Sequence, residues 1–183
     1  MRLNSSQQSE LKDFVKELLK KQIHVVIAES CTAGLVSALL GQIPGVSNVL
    51  CGSMVVYRAT AKQDWLELDP KMLADPARGT VCADTTRQLA ISVLQATPEA
   101  NWSVAITGHL GPGAAQEQDG CVFLATATRH ESTAMIADET VQNLLSIEPT
   151  DSDDIDRRAL RQQEAAWMAI DFLRQSIKRF SPR

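Results

Sequence analysis

The residues best placed to do chemistry lie in one short run, Ala28-Glu29-Ser30-Cys31-Thr32-Ala33-Gly34. The apolar stretch before it, residues 23–27, reads as a buried strand, and residues 35–40 after it have helical spacing. A serine at such a strand-to-helix crossing has its hydroxyl near the positive end of a helix, where unpartnered N–H groups favour negative charge. Ser30 therefore suits either a nucleophile or a phosphate contact. The plainer alternative is that Ser30 or Thr32 only caps the helix, and the spacing alone leaves both readings open.

The other chemistry-bearing residue types are less organised. The loop Thr107-Gly108-His109-Leu110-Gly111-Pro112-Gly113 follows a predicted strand over 102–106, but its glycines do not form a Gly-x-Gly-x-x-Gly fingerprint. It also lacks the lysine and hydroxyl residue of a P-loop, so a tight turn accounts for it equally well. His24, His109 and His130 stand apart, without a second histidine at helical spacing or a cysteine pair, so no metal is expected. Asp151, Asp153, Asp154 and Asp156 lack the central glycine and closing glutamate of a calcium loop and read as a solvated helix start. Cys31, Cys51, Cys82 and Cys121 are widely spaced in apolar surroundings and read as buried, reduced thiols.

Composition narrows the setting. The 183 residues are 44% hydrophobic and 22% charged, ordinary for a globular protein. The expected organisation is a single domain over 1–183, with a core about 9–178. A formal charge of −4 argues against a nucleic-acid partner, which needs a basic face. The polar N-terminus does not resemble a signal peptide, and no apolar run approaches the roughly 18 residues of a membrane helix. A cytoplasmic protein without a membrane partner is expected.

The elements that must position Ser30 follow from periodicity. Residues 9–21 form an amphipathic helix with Leu11, Phe14, Val15, Leu18 and Leu19 on one face. A β-rich run covers 49–57 and a short helix 60–66, ended by Asp69-Pro70, with a further break at Asp75-Pro76. Helical spacing returns over 83–96. A strand is expected over 120–128, with part of 132–147 pairing against it. A long helix over 156–180 closes the chain, with Leu160, Ala165, Ala169, Leu173 and Ile177 facing inward. Alternating helices and strands followed by paired strands imply an α/β fold, a three-layer α/β/α domain with a mixed sheet. Ligands in such sheets sit beyond strand ends, which favours the loops after 27 and 106. Exposed sheet edges and the terminal helix offer surfaces for a homo-oligomer.

Taken in order, the blocks 28–34; Gly52-Ser53-Met54-Val55-Val56-Tyr57; Ala61-Lys62; Gly79-Thr80-Val81; Ala105-Ile106-Thr107-Gly108 with Gly111-Pro112; and Asp156-Arg157-Arg158-Ala159-Leu160-Arg161 resemble the carboxy-terminal domain family of competence-damage-inducible (CinA) proteins, which usually has glycine at the place of Ala33. The match spans about 23–173. The resemblance implies an amidase that converts nicotinamide mononucleotide, a small phosphorylated nucleotide, to nicotinic acid mononucleotide and ammonia in pyridine nucleotide recycling. It implies no metal or organic cofactor.

On that resemblance Ser30 is the nucleophile and Lys62 the base that takes its proton, a role that requires a neutral amine. Tyr57 relays a proton or holds lysine and substrate. Backbone N–H groups at Cys31 and Thr32 form the oxyanion site, Thr107 and Gly108 line the pocket, and Arg157 or Arg161 meets the phosphate. Arg158, on an adjacent face, is assigned to the nearby aspartates. The chain also departs from the family pattern. Arg58-Ala59 replace a Ser-Asn pair, Gly113-Ala114-Ala115 replace Asp-Gly-Gly, Cys82 and Cys121 stand for serine and threonine, and His109-Leu110 replace a small apolar pair. These changes support a second reading, a paralogue that binds a pyridine nucleotide or other phosphorylated metabolite with little or no turnover.

Overall fold

The computed structural model describes residues 3–75, 79–130, 132–143 and 154–180. The first helix, α1 (Ser5–Lys20), starts earlier than periodicity suggests because Asn4 and Gln7 form a reciprocal capping box. It buries Leu11, Phe14, Val15 and Leu18. Leu19, expected on the same face, is 44% exposed, being a full 100° around the helix from Leu18. Strand β1 (Val25–Glu29) leads through the serine turn into α2 (Leu35–Leu40), and β2 (Leu50–Val55) follows a single 3-10 turn, Val46–Asn48. Helix α3 (Ala59–Leu66) is succeeded by α4 (Pro70–Ala74). Asp69-Pro70, expected only to end a helix, instead starts this one: Asp69 accepts from the Lys71 N–H and proline takes a first-turn position.

Helix α5 (Ala83–Gln95), β3 (Trp102–Gly108), β4 (Cys121–His130), β5 (Thr133–Asn143) and α6 (Asp154–Phe180) complete the chain. The expectation of strand beyond 143 and the positions Asp151 and Asp153 lie outside the described residues. The sheet order is β2-β1-β3-β4-β5, with β1 parallel to β2 and β3 and the last two pairings antiparallel. This is the mixed sheet expected from the pattern of elements.

The two faces of β1 and β3 alternate cleanly, as a doubly covered sheet requires. Val25, Ile27, Trp102, Val104 and Ile106 pack with α1, α2 and α6. Val26, Ala28 and Ala105 pack with Leu89, Ala90 and Val93 of α5 and with Leu66 and Leu73. In α6, Ala165, Ala169, Leu173 and Ile177 are buried as expected, but Leu160 is 51% exposed. The four-residue step back from Ala165 lands on Arg161, and that arginine takes the inward place. Of the cysteines only Cys31 is buried; Cys51, Cys82 and Cys121 are half-buried, and all four are free thiols. Among the described residues no helix is long and apolar enough to cross a membrane, and no cluster of metal-ligating side chains occurs.

Because β1, β2 and β3 run in one direction, the loops at their carboxyl ends converge at one pole of the sheet. The serine turn, the segment from Val56 to Arg58 and the glycine loop after β3 all lie there.

Candidate active site

The serine turn is built on β1. The Ser30 N–H donates to the Ile106 carbonyl at 3.2 Å and the Val56 N–H donates to the Glu29 carbonyl at 2.8 Å, extending both parallel pairings to the pole. The chain then reverses through Ala33 (φ +52°) and Gly34 (φ +98°), two successive left-handed residues. For Ala33 that conformation is disfavoured, which gives a physical reason for glycine there in the resembling family.

Neither Ser30 nor Thr32 caps α2. The capping group is Glu29, fully buried, whose carboxylate accepts from the N–H groups of Gly34, Val36 and Ser37 at 2.9–3.0 Å. It also accepts from the hydroxyls of Thr32, Ser37 and Ser53 at 2.8–3.0 Å. Six donors around one carboxylate tie β1, the turn, α2 and β2 into a single hydrogen-bonded unit, and they offset the cost of burying the charge. Sequence patterning missed Glu29, since a carboxylate ending an apolar strand carries no period-based signal.

Lys62 enters the site from beneath. It sits on the first turns of α3, fully buried, and its Nζ is 3.1 Å from Ser30 Oγ, 2.6 Å from the Val56 carbonyl and 3.3 Å from the Tyr57 carbonyl. Burial pushes the lysine down from 10.5 to about 8. The three neighbours match the needs of both protonation states. As an ammonium the group donates to all three oxygens; as an amine its two hydrogens serve the carbonyls and its lone pair faces the Ser30 hydroxyl. Cys31, beside Ser30, is a poor competitor: burial pushes its thiol up to about 12, so the nucleophilic thiolate is suppressed.

A cavity of about 280 Å³ opens above this pair. Ser30, Cys31, Tyr57 and Gly108 line it, together with Val81, the loop 109–114 and Arg158. A side chain at Gly108 would stand 2.6 Å from Val122 Cγ1 and 3.2 Å from Cys31 Sγ, so only glycine lets β3 pass this close. Tyr57 is 51% exposed, and its hydroxyl accepts from Arg158 at 2.8 Å. Arg158 also donates to the Gly111 carbonyl, bridging two walls of the cavity.

The remaining expected site residues lie elsewhere. The Thr32 hydroxyl is spent on Glu29. Thr107 is fully buried and 2.8 Å from the Thr86 hydroxyl, which itself donates to the Cys82 carbonyl, so Thr107 donates to Thr86. Arg157 pairs with Asp154 on the surface of α6. Arg161 is buried against Asp119 at 2.7 Å, and its guanidinium holds the Asp119 carboxyl below the usual carboxylate range. The assignments of the arginines are therefore exchanged: Arg157 answers the aspartate, Arg161 braces the glycine loop, and Arg158 reaches the cavity. A pair four apart shares a helical face, but the flank of a 27-residue helix that meets a loop is fixed only by tertiary packing.

Comparison with known proteins agrees with this architecture. Residues 7–177 match the model of the CinA C-terminal domain. A CinA-like protein of Acidobacterium capsulatum is 33% identical over 136 residues, which is 73% of this chain and 32% of the relative. A CinA-like protein of Prochlorococcus marinus is 34% identical over 62% of this chain and 26% of its own length. The chain thus spans between a quarter and a third of these relatives. The crystal structure of competence/damage inducible protein CihA from Agrobacterium tumefaciens superposes with a TM-score of 0.70 at 29% identity, covering 93% of this chain and 98% of that one. A competence or damage-inducible protein from Enterobacter asburiae shares the fold at a TM-score of 0.72 and 20% identity, covering 94% and 99%. The chain belongs to the CinA C-terminal domain family.

Proposed function

We propose that the protein is an amidohydrolase that converts nicotinamide mononucleotide to nicotinic acid mononucleotide and ammonia. The observation that carries this reading is the buried Lys62 amine, 3.1 Å from Ser30 Oγ and pushed down to about 8. Neutral Lys62 accepts the Ser30 proton as Oγ attacks the carboxamide carbon. The resulting ammonium passes that proton to the leaving nitrogen, ammonia departs, and an acyl-serine remains. Water then enters from the cavity, gives a proton to Lys62 and attacks the ester, and the proton returns to Ser30 as the acid leaves. Backbone N–H groups of Cys31 and Thr32 receive the negative charge on the carbonyl oxygen at each attack.

Arg158 is the cation positioned at the cavity wall to meet the substrate phosphate, exchanging its contacts with Tyr57 and Gly111 for phosphate oxygens. Arg58 and Ala59 are solvent-exposed and do not line the cavity, so their departure from the family pattern leaves the reacting groups untouched. Gly113 and Ala114, in contrast, give the cavity wall no polar side chain, and this favours the second reading, ligand binding without turnover.

One experiment separates the two. Purified protein incubated with nicotinamide mononucleotide yields ammonia and the acid nucleotide, followed by a coupled ammonia assay and mass analysis, and Ser30→Ala lowers the rate by roughly 10³-fold or more. Saturable binding without product supports the binding paralogue instead.

A further inference from the structure

Gln162 lies one helical turn beyond Arg158 on α6, and its side-chain amide reaches across to the serine turn. Its Nε2 donates to the Cys31 carbonyl at 3.3 Å and to the Thr32 carbonyl at 3.1 Å. The Thr32 carbonyl also accepts from the Leu35 N–H at 3.1 Å, and the Ala33 N–H is turned back to the Ser30 carbonyl at 3.2 Å. The Ser30 N–H is committed to β3 and the Gly34 N–H to Glu29. Of the N–H groups in the turn, that of Cys31 faces its own Sγ, and that of Thr32 meets no acceptor among the described residues. Thr32 is only 1% exposed, so an N–H left there without a partner is costly until an oxygen arrives to accept from it.

A trans peptide points its carbonyl and its N–H in opposite directions. By holding the Cys31 carbonyl on α6, Gln162 fixes the direction of the Thr32 N–H in the same peptide. We infer that Gln162 is a positioning residue that aims the Thr32 N–H at the reacting carbonyl oxygen, making the oxyanion site depend on α6. This inference rests on the acyl-serine chemistry proposed above. It also links the two jobs of α6. Arg158 meets the anion and Gln162, four residues on, sets the donor that stabilises the transition state.

The test compares wild type with Gln162→Met, which keeps length but removes both donors, and Gln162→Glu, which turns an acceptor toward two carbonyls. Each is assayed with nicotinamide mononucleotide and with its thiocarboxamide analogue. Sulfur is a weaker hydrogen-bond acceptor than oxygen, so a well-aimed donor favours the amide over the thioamide. The expected result is a kcat lower by about 10–100-fold in both variants, with KM within twofold and the rise in rate near pH 8 unmoved. The amide-to-thioamide rate ratio shrinks with it. An unchanged kcat, or a loss of rate that leaves the ratio as in wild type and tracks a lower melting temperature, overturns the inference.

If wild type does not hydrolyse the nucleotide, acylation of Ser30 by p-nitrophenyl acetate is followed in its place. A burst that is fast in wild type and slowed in Gln162→Met supports the positioning role, with only the substrate at fault. Equal bursts overturn it while leaving the Ser30–Lys62 pair intact, and no burst at all overturns both.

Discussion

The two walls of the cavity are held by different means. The serine turn is fixed by six hydrogen bonds to one buried carboxylate, by backbone bonds to both neighbouring strands and by Lys62 underneath. The glycine loop opposite is held by two arginines of α6, Arg161 through an ion pair with Asp119 and a bond to the Leu110 carbonyl, and Arg158 on the Gly111 carbonyl. Short backbone bonds add to these, such as His109 N–H to Cys121 and Gly120 N–H to His109, and among the described residues no buried carboxylate gathers its amides. A side chain at Gly111 would sit within 3.0 Å of that ion pair, so the loop follows its brace closely. The difference teaches a division of labour: reacting atoms need fixed geometry, whereas a wall that admits and releases substrate needs fewer constraints.

The sharpest way to break this comparison is to remove the base from the fixed wall. Lys62→Met is expected to lower kcat/KM by about 10²–10⁴-fold while leaving the fold intact. Its effect on stability has a worked sign. The folded lysine, at about 8, holds its proton less tightly than the unfolded one, near 10.5. Wild type therefore gains stability relative to Lys62→Met as pH rises from about 8 to 10.5, and below 8 the buried ammonium is a cost of up to roughly 3 kcal/mol. Denaturant melts of both proteins at pH 7, 9 and 10.5 read this directly. On the proposed mechanism the wild-type rate is expected to climb as pH passes about 8, because only the amine accepts the Ser30 proton. A mutant that turns over normally would end the base assignment and, with it, the claim that the fixed wall holds the chemistry.

The bridge between the walls comes next in size. Arg158→Ala is expected to raise KM by about 10–100-fold with a smaller change in kcat, since a phosphate contact acts on binding. Arg157→Ala, which loses only a surface pair with Asp154, leaves both constants within twofold. Steady-state kinetics on the two variants side by side sharpen the contrast, and the reverse ranking would return the anion to the face expected from sequence. The smallest effect concerns the fixed wall again. Ala33→Gly relieves a left-handed alanine and is expected to stabilise the protein by about 0.5–1 kcal/mol in urea melts, with KM unchanged.

Much of this architecture was legible in the residue order. Continuous apolar runs marked the buried strands β1 and β3 and 3.6-residue spacing marked the longer helices, whereas the short α4 was not anticipated. Ser30 stood out locally because a strand, a turn and a helix meet at it. Lys62 did not: it lies 32 residues away on a helix whose pattern is unremarkable, and only the ordered resemblance paired the two. Glu29, Arg158 and Gln162 were illegible for a shared reason. Each acts on backbone groups or on another element, and a side chain that bonds carbonyls and N–H groups leaves no partner-specific trace in sequence. Leu160 and Arg161 show the same limit for packing. Period-based reading put the apolar residue inward, and the reach of Arg161 to the exposed Asp119 reversed the choice.

The direction of the strands has a practical side. The glycine loop, the serine turn and the start of α6 gather at one pole, while β4 and β5 are joined at the other, between His130 and Thr133. That tip lies a full strand length from the chemistry. A tag, a surface tether or a fused domain attached there would leave the cavity mouth open, so the fold carries its own handle for immobilising the protein in working form.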